Sequence, residues 1–178
     1  MGKPSTDRTE VLHSGAHLDF CRRGRWEFVR RGAVDEVVGV IAVTPAGELL
    51  LVEQHRPPLG ENGMRVIELP AGLVGDDGSP EEMLTAARRE LREETGYHAG
   101  RFELLTSGPS SPGLSSEVIG LALAHDLERR DTGGGVDGED ITVHHVPLDR
   151  AATWLAERQA DGVTIDVKVW AGLYFALR

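Results

Sequence analysis

Residues 75–97 read GDDGSPEEMLTAARRELREETGY. Ser79, Pro80 and Glu82 have the form of a helix start: an N-cap hydroxyl, a proline at the first helical position, and a carboxylate that closes a capping box. Leu84, Ala87 and Leu91 then fall on one face, which predicts a side packed on a sheet, and Gly96 supplies the stop. Glu90 and Glu94, four apart, stack on one stripe with Glu93 beside them. On a solvated helix such crowding costs roughly a few tenths of a kcal/mol per pair, so one reading is an exposed acidic face partnered by Arg88, Arg89 and Arg92. The other is chemical. A stripe of oxygen donors with net negative charge attracts hard divalent cations such as Mg2+ or Mn2+, and such ions handle phosphate.

Upstream of this helix, residues 34–43 carry Val37, Val38, Val40, Ile41 and Val43, and Pro45, Ala46 and Gly47 turn the chain into a second run over 49–52. The pair predicts a β-hairpin at the centre of a sheet. Two shorter runs precede it, one with Leu18 and Phe20 and one with Trp26, Phe28 and Val29, around a turn at Arg22, Arg23 and Gly24. Residues 1–10 read as a disordered start. A loop at 57–63 leads to a short strand at 66–69 that Pro70 ends. Downstream, strands are predicted at 102–105, 118–124 and 141–146, the last holding His144 and His145. The segment SGPSSPGLSS at 107–116 reads as a loop, and 131–139 as a mobile, acidic, glycine-rich one. Helices follow at 150–160, with Asp149 as N-cap and Gly162 as stop, and at 167–177, capped by Asp166. The class is α/β of the α+β kind, a mixed sandwich. Residues 1–33 form an N-terminal tail with a small β subdomain, and 34–178 the main domain.

The chain's 178 residues suffice for one domain with a proper core, and 40% hydrophobic with 27% charged residues makes it globular. A formal net charge of -10 argues against nucleic acid or an anionic membrane as partner. A phosphorylated small molecule stays compatible, because bound metal inverts the local field. The lone cysteine, Cys21, cannot form an intramolecular disulfide and reads as a half-buried strand residue. The first residues, MGKPSTDRTE, are polar, and no apolar run approaches the roughly 20 residues of a membrane span, so the cytoplasm is expected. The seven histidines show no HExxH and no CxxC partner, hence no zinc site.

Gly75, five residues, Glu81, seven residues and then Arg89-Glu90-Leu91-Arg92-Glu93-Glu94-Thr95-Gly96-Tyr97 resemble the Nudix box of the Nudix hydrolases at every fixed position. The resemblance implies the Nudix fold, a mixed β-sheet sandwiched between helices. It makes Glu90 and Glu94 the main metal ligands, with Glu93 assisting and the Ala71 carbonyl adding an oxygen, and it gives Arg89 a bidentate hold on a glutamate. Glu81 is either a supporting carboxylate or a residue favoured by the helix dipole. In many members the glycine of an Ala-Gly pair opens the box. Here that pair is Ala71-Gly72, three residues too early. Either Gly75 takes the glycine's place or the loop carries a three-residue insertion, and the lead-in Glu68-Leu69-Pro70-Ala71-Gly72 favours the insertion.

Other residues resemble the ADP-ribose pyrophosphatase subgroup. Val52-Glu53-Gln54-His55-Arg56 is similar to its lead strand, with His55 for the usual aromatic, and Glu68 belongs to its lead-in. Pro112, fifteen residues past Tyr97, stands at its marker proline, followed by Glu117. Glu139 aligns with its proposed general base, against the alternative of a solvated loop acid. Arg56 is a phosphate or ribose contact or an exposed strand-end charge. Trp26 and Phe28 stack on adenine or fill the core, and Pro112 is otherwise a plain loop proline. By this resemblance, roughly two or three Mg2+ lower the pKa of a water that attacks one phosphorus of ADP-ribose, giving AMP and ribose 5-phosphate without a covalent intermediate. A homodimer is implied as well. The rivals are another nucleoside diphosphate sugar (ADP-glucose, GDP-mannose), oxidised nucleoside triphosphates, or a non-catalytic nucleotide-sensing module.

Overall fold

The computed structural model describes residues 8–32, 34, 36–75, 79–136 and 138–178. The centre of the fold is a pair of strands, β4 (Glu36–Ala42) and β5 (Glu48–Arg56). Their near-continuous apolar sequence follows from burial on both faces. Val38, Val40, Ala42 and Leu50 point into one core, while Ile41, Leu49 and Leu51 point into a second.

The predicted turn between them forms: Gly47, at φ +78°, donates its N–H to the Thr44 carbonyl. The predicted hairpin does not continue, however. Past one Val43–Leu49 bridge, β4 pairs in parallel with β9 (Val118–Arg129) and antiparallel with β7 (Ala71–Leu73). β5 pairs antiparallel with β6 (Met64–Glu68) and β10 (Thr142–Pro147). A strand has two edges, and both strands have filled theirs with other partners. Two four-stranded mixed sheets result, β7-β4-β9-β8 and β10-β5-β6-β11, where β8 is Tyr97–Pro109 and β11 is Thr164–Ile165.

Helix α1 (Met83–Thr95) covers the first core, and α2 (Ala151–Ala160) and α3 (Val167–Ala176) cover the second, so mixed sheets lie between helices. Ala87 and Leu91 of the predicted face are fully buried and Leu84 partly so. The helix begins later than predicted. Its N-cap is Glu82, not Ser79, and Pro80 precedes the first turn. The cause is Glu81, whose carboxylate accepts the Gly75 N–H at 2.8 Å and so holds this stretch as a loop. At the other end Gly96 adopts φ +76°, where a Cβ would stand 2.2 Å from the Asp131 carbonyl oxygen. Asp166 caps α3 as predicted, accepting the Lys168 N–H at 2.7 Å. Asp149 does not cap α2, because it sits inside a 3-10 turn, Leu148–Arg150, that comes first.

A separate antiparallel sheet joins β1 (Glu10–Ser14), β2 (Leu18–Arg23) and β3 (Trp26–Arg31). Its last two strands were predicted. β1 is exposed along its whole length, so no burial pattern marks it in the sequence, and it takes Glu10 from the expected disordered start. Residues 1–7 lie outside the described residues. Cys21, expected half-buried, is fully buried. β8 and β9 outrun their predicted lengths because their ladder continues through Ser107 and Gly108, paired with Gly120 and Ile119. The loop expected at 107–116 starts only after Pro109.

Leu91 fastens the box helix to the sheet. Leu91→Ala is expected to cost about 2–5 kcal/mol in chemical denaturation, and Leu84→Ala, at a half-buried site, clearly less.

Candidate active site

The loop after β7 and the helix α1 build the site around one guanidinium. Arg89 donates through Nε and Nη2 to Glu81 (3.3 and 3.1 Å), through Nη1 to Glu90 (2.6 Å), and through Nη2 to the Leu73 carbonyl (2.9 Å). Its Nη1 also lies 3.6 Å from Glu93. Arg89 thus reaches three glutamates rather than one. Glu81 is a supporting carboxylate, joining Arg89 to the Gly75 amide. Gly75 sits at φ +73°, and a Cβ there would stand 2.6 Å from the Ser79 carbonyl oxygen, so the turn requires glycine.

Glu94 is 4% exposed, and among the described residues its carboxylate is held by the Ala71 N–H at 3.0 Å. Burial pushes its carboxyl well above the usual carboxylate range, and the nearby charges of Glu90, Glu139 and Glu68 push the same way. Glu90, 9% exposed, lies so near the chain that a Cβ on Gly72 would be 1.9 Å from its Oε1. On β5 and β6, Arg56 clamps the buried Glu68 through both oxygens, at 2.7 and 2.6 Å. That carboxylate holds the Arg56 guanidinium above its ordinary pKa.

These groups share one cleft of about 770 Å3. Ala71, Arg89, Glu90, Glu93 and Glu94 line it, with Arg56 and Glu68, and Glu139 joins them from the loop before β10. That loop, expected to be mobile, is tied to the end of α1: Gly134 and Gly135 donate N–H groups to the Glu94 and Glu93 carbonyls at 2.8 and 3.0 Å. Glu139 itself is exposed, and its Oε2 accepts the Val136 N–H at 3.1 Å.

Three predicted contacts are not brought to the cleft. Trp26 is 58% exposed on β3, and Phe28, half-buried on that strand, lies under the Arg23 guanidinium. Pro112 is exposed and follows Ser111 in a turn closed by the Leu114 N–H on the Ser111 carbonyl, a position that suits proline for its fixed φ. The cleft also takes Arg31 from β3, Glu117 ahead of β9, and Lys168 from α3. Arg31 Nε lies 3.5 Å from Glu117. Glu117 stands within the subgroup match, but nothing local marks Arg31 or Lys168, which tertiary packing delivers.

The donor set suits a hard divalent cation. It is all carboxylate oxygen, and the Glu94 carboxyl, pushed up first by burial and then by the charges of Glu90, Glu139 and Glu68, would be relieved by a cation. The predicted ligands, Ala71, Glu90, Glu93 and Glu94, form a neighbourhood rather than a closed site. Among the described residues no three acidic, histidine or cysteine side chains converge as a metal site, and Arg89 engages Glu90 and Glu93. Ala71 contributes its N–H to Glu94.

A NUDIX domain model matches residues 34–164. The chain therefore belongs to the Nudix family, hydrolases acting on pyrophosphate bonds. It is 33% identical over 192 residues to a methanol dehydrogenase activator of Bacillus methanolicus, covering 100% of this chain and 99% of that one. It is also 33% identical over 123 residues to an ADP-ribose pyrophosphatase of Bacillus subtilis, covering 68% of this chain and 63% of that enzyme. In fold it resembles the solved structure of an ADP compounds hydrolase, with a TM-score of 0.72, 21% identity, and coverage of 100% and 94% of the two chains.

A carboxyl whose pKa is raised by folding favours the fold at acid pH, and that contribution is lost as pH rises through the folded pKa. For Glu94 the loss begins above the ordinary value of 4.5. Chemical denaturation of metal-free protein at pH 5 and pH 8 should show Glu94→Gln gaining stability over the parent chain at pH 8, with the difference shrinking at pH 5.

Proposed function

We propose that the cleft binds ADP-ribose or a related nucleoside diphosphate sugar and hydrolyses its diphosphate, giving AMP and ribose 5-phosphate from ADP-ribose. One observation carries this reading: the buried Glu94, with its raised pKa, shares a cleft with Glu90, Glu93 and the Arg56 guanidinium. Carboxylates alone would repel a diphosphate, so the arrangement makes sense for an anion that arrives with a cation. The relative named as an ADP-ribose pyrophosphatase supports the choice of substrate.

Glu90, Glu93 and Glu94 would hold Mg2+ or Mn2+, which when bound neutralises phosphate charge and lowers the pKa of a water. Arg56, kept in place by Glu68, binds a diphosphate oxygen. Arg89 keeps the glutamates together and anchors the β7 loop. Glu139 takes the proton of the attacking water on its carboxylate. Positioning and electrostatics supply most of the rate.

Residues 1–33 are proposed as a dimerisation element. Val11, Leu18 and Trp26 are exposed on the N-terminal sheet, and a homodimer would cover them. A cytoplasmic location is proposed too; among the described residues no helix is long and apolar enough to cross a membrane.

The full-length relative named as a methanol dehydrogenase activator favours a second reading, that the chain serves a dehydrogenase as an accessory protein. Product analysis after incubation with ADP-ribose and Mg2+ separates hydrolysis from binding alone. A hydrolase releases AMP and ribose 5-phosphate by itself, whereas a nucleotide-sensing module binds without products. Glu94→Gln should lose roughly 10^3-fold in kcat/KM, several kcal/mol of transition-state stabilisation, while staying folded. Across ADP-ribose, ADP-glucose and GDP-mannose, a preference for a hexose by about tenfold, or about 1.4 kcal/mol, would overturn the ribose assignment.

A further inference from the structure

We propose that Arg65 is a positioning residue for Glu139, acting through Asp140; this rests on the role given to Glu139 above. The bond from the Val136 N–H to Glu139 lies within the loop and ties nothing to the sheets. Arg65 makes that tie. From β6, its Nη1 donates to Asp140 Oδ2 at 2.8 Å and its Nη2 to Thr142 Oγ1 at 3.3 Å. On β5, its Nε donates to Glu53 Oε1 at 2.8 Å and its Nη2 to the Glu53 carbonyl at 3.1 Å. The other oxygen of Glu53 meets His144 Nε2 of β10 at 2.9 Å. One guanidinium therefore joins two paired strands to the residue next to Glu139.

The loop has its other anchor at Gly134 and Gly135, on the carbonyls of Glu94 and Glu93. Glu139 hangs between the helix that carries the carboxylates and the strand that carries Arg65. Fixing Asp140 sets the direction in which the neighbouring backbone presents Glu139 to the cleft. The fork geometry of arginine matters, because four acceptors in different directions are met by one planar group, which a lysine ammonium cannot do. The Asp140 side chain is 82% exposed, so its pair with Arg65 adds little to global stability. Its effect belongs to the placement of Glu139.

The test is a double-mutant cycle on the full chain, with kcat and KM measured on ADP-ribose with Mg2+. Arg65→Met and Asp140→Ala are each expected to lower kcat about 10- to 100-fold and leave KM within about twofold. Arg65→Lys should recover only part of the loss. In a Glu139→Gln background, Arg65→Met should cost nothing further, since there is no base left to position. Losses that multiply across the cycle overturn the proposal, as does full kcat in Arg65→Met and Asp140→Ala, or in Glu139→Gln. If Arg65→Met fails to fold, the exposed Asp140→Ala carries the cycle. No turnover by the parent chain would sink the hydrolase reading instead. Hydrogen exchange then still reads the anchor: faster exchange over residues 138–141 in Asp140→Ala is expected, and unchanged exchange overturns it.

Discussion

A single cation, Arg89, holds together a site that would otherwise push itself apart. Glu81, Glu90 and Glu93 surround it, and its remaining reach goes to the Leu73 carbonyl. Like charges a turn apart repel mildly in water and more strongly where burial lowers the effective dielectric. The guanidinium is a partner that the glutamates and the chain around β7 share. The charge balance is deliberately incomplete. Arg56 answers Glu68, and Arg89 answers the outer glutamates, while Glu94 is left with an amide N–H. Burial, helped by the neighbouring carboxylates, pushes this carboxyl toward its protonated form, and this is where an arriving cation gains most.

The division of the molecule into two sheets serves the same end. Because β4 and β5 part after one bridge, the end of β5 with Arg56 belongs to a different layer from β7 and α1. The cleft lies where the layers meet, lined by Arg56 and Glu68 from one and by Ala71 and the helix glutamates from the other. A continuous central hairpin would have kept those groups in one sheet. The two apolar cores on either side of β4 and β5 stabilise the arrangement through burial, while the polar groups of the cleft restrain one another and the chain around β7.

Much of this was legible in the residues. The face of α1, the stripe of Glu90, Glu93 and Glu94, and the cap at Asp166 are local patterns, and local patterns survive folding. What failed was decided at a distance. The start of α1 moved because Glu81 is claimed by Gly75 and Arg89, a loop-to-helix interaction that outweighs the capping box of Ser79 and Glu82. The turn at Gly47 was readable, but the partners of β4 and β5 were not, since parallel pairing with β9 joins residues some eighty positions apart. Trp26 and Phe28 looked suited to adenine by type, and β3 carries them outside the cleft. Arg31 and Lys168 reach it through packing that no short stretch encodes.

The position of the glutamates on α1 argues for a trade between stability and cation affinity. Glu93 and Glu94 lie in the last turn, where aligned peptide dipoles already place partial negative charge. Acids are disfavoured there, and Arg92 offsets only part of the cost. The chain relieves the carbonyls with backbone donors: Gly96 serves Arg92, Gly134 serves Glu94, and Gly135 serves Glu93. Each donor is a glycine at positive φ, and a Cβ on Gly96 or Gly135 would collide with neighbouring atoms, so the loop can approach the helix end without side chains intervening. Neutral amides quiet the carbonyls, and Arg92 and Arg89 answer Glu93, but among the described residues no cation pairs with the Glu94 carboxylate. A site that neutralised Glu94 internally would be more stable and would have less use for a divalent ion.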